Sequence, residues 1–268
     1  MNKKIGFIGC GKMAGAIIKG ILSTCTKLNV DIIGSEVNNE IAELAQTKLG
    51  IPVISDNRKL AAEAEIIVIA TKPNYVTQVL EEIKNEITEN KLIVSIAAGI
   101  SISKIENVIP KSRIIRVMPN TPALVQEGMS AVCKGSTATN DDVEIVKNLL
   151  LNVGKVIEVE ESQIDIVTAI SGSGPAFFYQ IIEDIAKAGE KIGLDYEKSL
   201  TLATQTALGS AKMIFNRGNL PVQTLIDNVA TKGGCTFVGI STMKDEKSEE
   251  LFYNVIKNTT QKASELGK

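Results

Sequence analysis

Histidine and tryptophan are both absent from this 268-residue chain, and its aromatic content is limited to four tyrosines and six phenylalanines. Without imidazole there is no Ser-His-Asp or Cys-His catalysis and no usual zinc site, and the proton carrier of many alcohol dehydrogenases is also missing. Any reaction run here takes its proton from another group. Cysteine is sparse too: Cys10, Cys25, Cys133 and Cys235 form no CxxC pair. That spacing argues against a metal cage or a disulfide framework, so no metal is assigned and reduced thiols are expected. Neither sign of charge dominates, with 29 Lys and Arg against 31 Asp and Glu, interspersed, for a net charge of −2. With no basic stripe and few rings for base stacking, nucleic acid is not an expected partner. No apolar run reaches the roughly 20 residues needed to span a bilayer. Lys12 and Lys19 break the one N-terminal stretch that looks like a signal peptide. The expectation is a cytoplasmic protein with no membrane partner.

What is present begins with Lys4-Ile5-Gly6-Phe7-Ile8, a short buried-strand pattern that runs into Gly9-Cys10-Gly11-Lys12-Met13-Ala14. This is a GxGxxA spacing between a strand and a helix start. Gly9 suits a tight turn, Gly11 leaves room for a pyrophosphate near the backbone, and Ala14 is small enough for helix-on-strand packing. The helix N-terminus faces the anion with free N–H groups and a positive dipole end. A glycine-rich βα turn of purely structural use has the same spacing. The alternating elements that follow favour nucleotide binding.

The pattern predicts a helix over 13–24, a strand over 30–34, a helix over 39–49 closed by Gly50, and a short strand over 52–54 with Asp56-Asn57 as a cap. Glu36, about 25 residues after the glycines, is placed to accept hydrogen bonds from an adenosine ribose and to repel a 2′-phosphate, which tilts the choice toward NADH. It also reads as a solvated turn carboxylate, and Ser35, Asn38 and Asn39 are donors for a phosphate. The β-branched run 66–70 marks a strand covered on both faces and ends in Thr71-Lys72-Pro73-Asn74. Next come a helix over 75–86, a strand over 92–95, the turn Ala97-Ala98-Gly99, a helix over 103–108 and a strand over 114–118. The loop Pro119-Asn120-Thr121-Pro122, a strand over 130–133, a helix over 141–151 and a strand over 155–159 complete this half. Such alternation is a doubly wound α/β domain, residues 1–160, whose ligands sit at the carboxyl ends of the strands.

From 161 to 268 only helical periodicity is found, over 175–192, 196–215 and 221–229 and in a last helix running to about 266. Small residues recur, as in 203–211, and permit close helix approach. A helical half this short is expected to complete its core with a second chain. Two glycine-punctuated loops interrupt it. Ser171-Gly172-Ser173-Gly174-Pro175 leads into a helix. Thr231-Lys232-Gly233-Gly234-Cys235-Thr236 presents backbone N–H groups to a small anion such as a carboxylate, with the Thr236 hydroxyl at the start of the next helix. A capped turn has the same spacing.

Taken together and in order, Gly6-Phe7-Ile8-Gly9-Cys10-Gly11, Ala70-Thr71-Lys72-Pro73, Ala97-Ala98-Gly99, Met118-Pro119-Asn120-Thr121-Pro122, Ser171-Gly172-Ser173-Gly174-Pro175 and Asp227-Asn228-Val229 leading to Gly233-Gly234-Cys235-Thr236 closely resemble the pyrroline-5-carboxylate reductase family. The resemblance covers essentially the whole chain. It implies an N-terminal Rossmann-type doubly wound sheet followed by an all-α C-terminal dimerisation domain, a homodimer, and in several members a pentamer of dimers. The implied activity is hydride transfer from NADPH or NADH to the C=N bond of 1-pyrroline-5-carboxylate, giving L-proline. Residue by residue, Ile8, Gly9, Cys10, Gly11, Lys12 and Met13 would hold the dinucleotide phosphates, with Ser35, Glu36, Asn38 and Asn57 around the adenosine. Ala70, Thr71, Lys72, Pro73, Ala97 and Ala98 would line the nicotinamide side. Asn228, Thr231, Gly233, Gly234 and Cys235 would surround the substrate carboxylate, and Thr236 would meet the ring nitrogen as the catalytic residue.

Two departures stand out: Lys232 where many relatives have proline, and Glu36 where NADPH-using relatives place a small or basic residue. A related imine or β-hydroxyacid reductase, for which Lys187, Lys191 and Lys212 are candidate lysines without the matching local motif, is the alternative within enzymes. A non-catalytic pyridine-nucleotide sensor is the alternative outside them.

Overall fold

The structure, a computed structural model, describes residues 3–23 and 30–267; Cys25 and the end of the helix expected over 13–24 lie outside the described residues. The chain divides into two compact units, residues 1–173 with 259–268, and residues 174–258.

The first unit is built on an eight-stranded sheet of order β3-β2-β1-β4-β5-β6-β7-β8. In chain order its elements are β1 (Lys3–Ile8), α1 (Lys12–Ser23), β2 (Val30–Ser35), α2 (Asn39–Leu49), β3 (Val53–Ile54), α3 (Asn57–Glu63), β4 (Ile66–Ile69), α4 (Pro73–Ile83), β5 (Leu92–Ser95), α5 (Ile102–Glu106), β6 (Arg113–Met118), β7 (Gly128–Lys134), α6 (Asn140–Leu150), β8 (Gly154–Glu158) and α7 (Ile164–Val167). Strands β1 to β6 run parallel, and β7 turns antiparallel to β6 and pairs in parallel with β8. The apolar runs are continuous because both faces of the sheet are covered. Alternate residues serve two cores: Ile5, Phe7, Ile66, Val68, Leu92 and Val94 face one, and Ile8, Ile67, Ile69 and Ile93 face the other. This is the doubly wound α/β arrangement expected from the alternation.

Differences from the sequence reading have local causes. The helix expected from 75 starts at Pro73, because a proline at the first helical position has no N–H to leave unpaired and already has a helical φ. Helix α3 was not anticipated as a helix: it spans seven residues with two buried side chains, and Asp56 caps it by accepting from the Lys59 N–H at 2.9 Å. Lys91 closes its other end, its Nζ donating to the Ala62 and Ala64 carbonyls at 2.9 and 2.8 Å. Gly6 lets α3 rest on β1, since a Cβ there would come within 2.4 Å of Leu60. After α7, residues Thr168–Gly172 form a π-helical turn, a type of distortion frequent at functional sites.

The second unit holds α8 (Gly174–Lys191), α9 (Tyr196–Phe215), α10 (Val222–Val229), α11 (Cys235–Asp245) and the first turns of α12 (Ser248–Gly267). The last helical stretch is thus two helices, separated where Lys247 takes a φ of 54°. Helices α8 and α9 pack through small residues: a Cβ on Gly189 would meet the Ser199 Oγ at 2.5 Å, and Ala186 and Ala203 are buried. Tyr196 ties the pair together by donating from its hydroxyl to Glu183 Oε2 at 2.6 Å. Beyond this seam the single chain buries little. Helices α10, α11 and α12 have no buried residue, while Phe178, Tyr179, Met213, Phe215, Phe237 and Val238 are exposed.

Candidate functional site

Four neighbouring strands, β2, β1, β4 and β5, end along one edge of the sheet, and each is followed by a segment singled out in the sequence. At the end of β1, Ile8 is buried and Gly9 adopts a φ of 92°, a backbone conformation that favours glycine. A Cβ on Gly9 would lie 3.0 Å from the Ala70 carbonyl group, so the turn also needs a glycine to pass β4. At Gly11 a Cβ would meet nothing within 4 Å. The space beside that residue is open, as close approach of a phosphate to the backbone requires. Lys12 opens α1 and is exposed, while Met13 is partly buried against the core. No acidic residue stands in the first turn of α1 to compete with an anion at the helix N-terminus.

The turn after β2 is tied to this loop. The Gly9 N–H donates to the Ser35 carbonyl at 2.9 Å, and the Cys10 N–H donates to Glu36 Oε1 at 2.7 Å. The Cys10 side chain tucks under the loop, where a Cβ on Gly34 would sit 2.5 Å from its sulfur. Burial, with the Glu36 charge adding to it, pushes the Cys10 thiol up to about 12, so it stays protonated. The fully buried Ser35 hydroxyl donates to Asn57 Oδ1 at 2.7 Å, and Asn57 Nδ2 donates to Glu82 Oε2 at 2.9 Å. Asn38 is the N-cap of α2, its Oδ1 accepting from the Ile41 N–H at 2.9 Å. The structure therefore joins Cys10, Ser35, Glu36 and Asn57 through hydrogen bonds, and occupies the Asn38 carbonyl in capping.

At the end of β4, Ala70, Thr71 and Lys72 lead into Pro73 at the start of α4. The Thr71 Oγ1 is buried and has no hydrogen-bond partner among the described residues. An orphaned hydroxyl of this kind costs about 1–3 kcal/mol unless a ligand or water satisfies it. After β5, Ala97 is buried and Ala98 exposed, and Gly99 turns with a φ of 74°. Gly99 packs on the end of α12, where a Cβ would meet the Leu266 carbonyl oxygen at 3.1 Å, and Lys104 Nζ donates to the Gly267 carbonyl at 2.6 Å. Open space at Gly11, an orphaned hydroxyl at Thr71 and four turns on one strand edge together suit an elongated anionic dinucleotide.

Asn120 is a residue whose part the sequence reading missed. It lies buried between β6 and β7, with Oδ1 accepting from the Met129 N–H at 2.8 Å and Nδ2 donating to the Ser171 carbonyl at 3.0 Å. It thereby fixes the π-helical turn that carries Ser171 and Gly172. The signal available was the Asn-x-Pro motif itself, which does not reveal a partner 51 residues away. Nearby, Glu161 Oε1 accepts from buried Arg116 at 2.8 Å and from the Ile102 N–H at 2.7 Å.

In the second unit, α10 carries Asn228 in its last turn and ends at Val229, with Ala230 as its C-cap. Thr231 to Gly234 then form a tight turn, with the Gly234 N–H donating to the Thr231 carbonyl at 2.9 Å and Gly233 at a φ of 81°. A Cβ on Gly234 would crowd the Thr231 Oγ1 at 3.0 Å. Gly234 is the N-cap of α11 but has no side chain to cap it, and the first turn contains no acid. Cys235 is exposed and Thr236 half-buried in that first turn, and Lys232 is exposed beside them. Uncapped N–H groups, a hydroxyl one residue into the helix and an adjacent cation form a place for a small carboxylate. Among the described residues, no group of three or more His, Cys, Asp or Glu side chains could hold a metal ion, and no helix is long and apolar enough to cross a membrane.

Comparison with known proteins covers both halves of the chain. Residues 161–266 match the model for pyrroline-5-carboxylate reductase dimerisation, and residues 4–99 match that for NADP oxidoreductase, coenzyme F420-dependent. The chain is 39% identical to a pyrroline-5-carboxylate reductase of Methanosarcina acetivorans, over 100% of this chain and 99% of that one. Its structure is similar to that of a pyrroline-5-carboxylate reductase from Coxiella burnetii, with a TM-score of 0.93, 33% identity and full coverage of both chains. A Plasmodium falciparum pyrroline carboxylate reductase with NADP bound matches with a TM-score of 0.85 and 34% identity, covering 100% of this chain and 99% of that one. By full-length likeness and by the order of its motifs, this chain belongs to the pyrroline-5-carboxylate reductase family.

Proposed function

We propose that the chain reduces the C=N bond of 1-pyrroline-5-carboxylate to L-proline, with Thr236 as the catalytic residue and the Gly233-Gly234 turn as the seat of the substrate carboxylate. The observation that carries this reading is the start of α11, where no side chain caps the helix, no acid stands in the first turn, and Thr236 follows one residue in. When bound, NAD(P)H supplies the hydride. Residues 8–13, Ser35, Glu36, Asn38 and Asn57 are proposed to hold its phosphate and adenosine portions, and Ala70 to Pro73 with Ala97 and Ala98 its nicotinamide side. Asn228, Thr231 and the amides of Gly233, Gly234 and Cys235 orient the acid group of the substrate. Thr236 hydrogen-bonds the ring nitrogen and relays to it a proton taken up from solvent, so that the hydroxyl is restored as the proton is passed on. An imine is basic enough to arrive partly protonated, so a hydroxyl serves where histidine is lacking, and position and charge carry the catalysis. Mixing the protein with dinucleotide and 1-pyrroline-5-carboxylate should deplete the absorbance of the reduced nicotinamide. Dinucleotide binding without oxidation would instead indicate a sensor.

The helical half carries the family's dimerisation model, and the apolar side chains exposed on α8 to α12 agree with assembly through it. A homodimer, and a pentamer of such dimers, is the proposed form. Sedimentation at micromolar protein should show a species well above the 28.7 kDa chain, and a stable monomer would remove the proposal. A cytoplasmic location completes this reading, supported by the free thiols of Cys10, Cys133 and Cys235.

Those thiols differ in environment. Burial, with neighbouring carboxylates, pushes Cys10 and Cys133 up to about 12, while Cys235 is exposed beside Thr236. Reactivity follows thiolate content and access, so iodoacetamide near neutral pH should modify Cys235 first among the described cysteines and lower activity. A Cys235→Ser variant should keep its own activity under the same treatment; equal loss in both would place the sensitivity elsewhere.

A further inference from the structure

The adenosine end of the glycine loop carries a charge arrangement with a consequence for the choice of dinucleotide. Pairing of Ile8 with Ser35 in the β1–β2 register brings the loop beside the turn after β2. There Glu36 Oε1 accepts the Cys10 N–H at 2.7 Å. A hydrogen bond to a carboxylate is charge-assisted and directional, so the half-buried side chain is held against the loop. Its Oε2 has no hydrogen-bond partner among the described residues.

Two neutral donors at this turn, the Ser35 hydroxyl and the Asn57 amide, are committed, and the Asn38 and Asn39 side chains are held through their Oδ1 atoms. The Ser35 hydroxyl donates to Asn57 Oδ1, and Asn57 Nδ2 donates to Glu82 Oε2, so a second carboxylate is tied into the same hydrogen-bonded chain. Between residues 34 and 57 the one cationic side chain is Lys48, in the last turn of α2. Lys12 starts α1, and Arg58 turns its Nε to the Glu82 carbonyl at 3.0 Å.

We propose that Glu36, held by the Cys10 amide, selects a ribose diol over a 2′-phosphate, so that this chain prefers NADH to NADPH. The proposal rests on reading the glycine loop as the dinucleotide site. A 2′-hydroxyl donates to the unused carboxylate oxygen, whereas a 2′-phosphate places like charge against it.

The test is equilibrium binding to the intact protein of NADH and NADPH, and of 5′-AMP and 2′,5′-ADP as probes of the adenosine end alone. NADH should bind at least about tenfold tighter than NADPH, equivalent to about 1.4 kcal/mol, and 5′-AMP tighter than 2′,5′-ADP. Glu36→Gln and Glu36→Ser should each narrow that ratio about tenfold or more, chiefly by gaining affinity for the phosphorylated ligands. Raising the salt concentration should narrow the ratio in the unsubstituted protein, because exposed charges are screened. Equal or tighter binding of NADPH by the unsubstituted protein would overturn the proposal while leaving the dinucleotide site intact. A preference for NADH unmoved by both substitutions and by salt would equally remove Glu36 from this role. Failure to bind either dinucleotide would bring down the reading of the loop itself.

Discussion

Replacing Thr236 by alanine should lower kcat by about ten- to ten-thousandfold, the range for a positioned proton donor, with little change in dinucleotide affinity. The chain offers no imidazole to substitute for it, and Thr236 is half-buried in the first turn of α11, next to the Gly233-Gly234 turn. In the role proposed for it, a hydroxyl there would stabilise the nitrogen as it gains electrons, an interaction stronger in the transition state than in the bound imine, so its loss would fall on kcat rather than on KM. Thr236→Ser restores the hydroxyl and should recover most of the rate, whereas Thr236→Val keeps the shape without the proton and should behave like alanine. Undiminished turnover in the alanine variant would assign the hydroxyl to orienting or capping alone.

Asp142→Ala should destabilise the first unit by about 2–4 kcal/mol, the joint cost of a charge-assisted hydrogen bond to part-exposed Arg113 and of a helix N-terminal cap. Asp142 is buried in the first turn of α6. Its Oδ1 accepts from Arg113 at 2.6 Å, and its Oδ2 accepts from the Thr139 N–H at 2.9 Å and the Thr139 hydroxyl at 2.8 Å. Its own N–H donates back to Thr139 Oγ1 at 3.2 Å, completing a capping box. Alanine removes the ion pair, half of the cap and the dipole complement of the helix start together. Set against a typical total of about 5–15 kcal/mol, such a loss is large. Urea unfolding at one fixed protein concentration is the measurement, since assembly shifts apparent stability by mass action. A loss under about 1 kcal/mol would show that Arg113 and Thr139 find other partners.

The core of the first unit could be read from the chain because its strands announce themselves. Ile66–Ile69 and Leu92–Ser95 are unbroken apolar runs closed by small or turn residues, and both lie where expected. Helix Tyr196–Phe215 was legible to its last residue because Asp195 caps it and Arg217-Gly218 breaks the pattern beyond it. The glycine loop was legible for the same reason, that local sequence dictates local backbone. What escaped depends on contacts between distant segments. Helix α3 is too short to show a period, and Asn120 draws its role from Ser171. The hydrogen bond from Cys10 to Glu36 follows from a strand register that periodicity cannot specify.

The packing of Gly99 on Leu266, with Lys104 reaching the Gly267 carbonyl, bears on how the protein is best handled. A bulky group attached at Gly267 would lie directly beside the turn proposed to flank the nicotinamide. Lys3, where β1 begins, lies at the opposite edge of the sheet from that turn, so a label carried there would stand clear of the proposed nicotinamide surroundings.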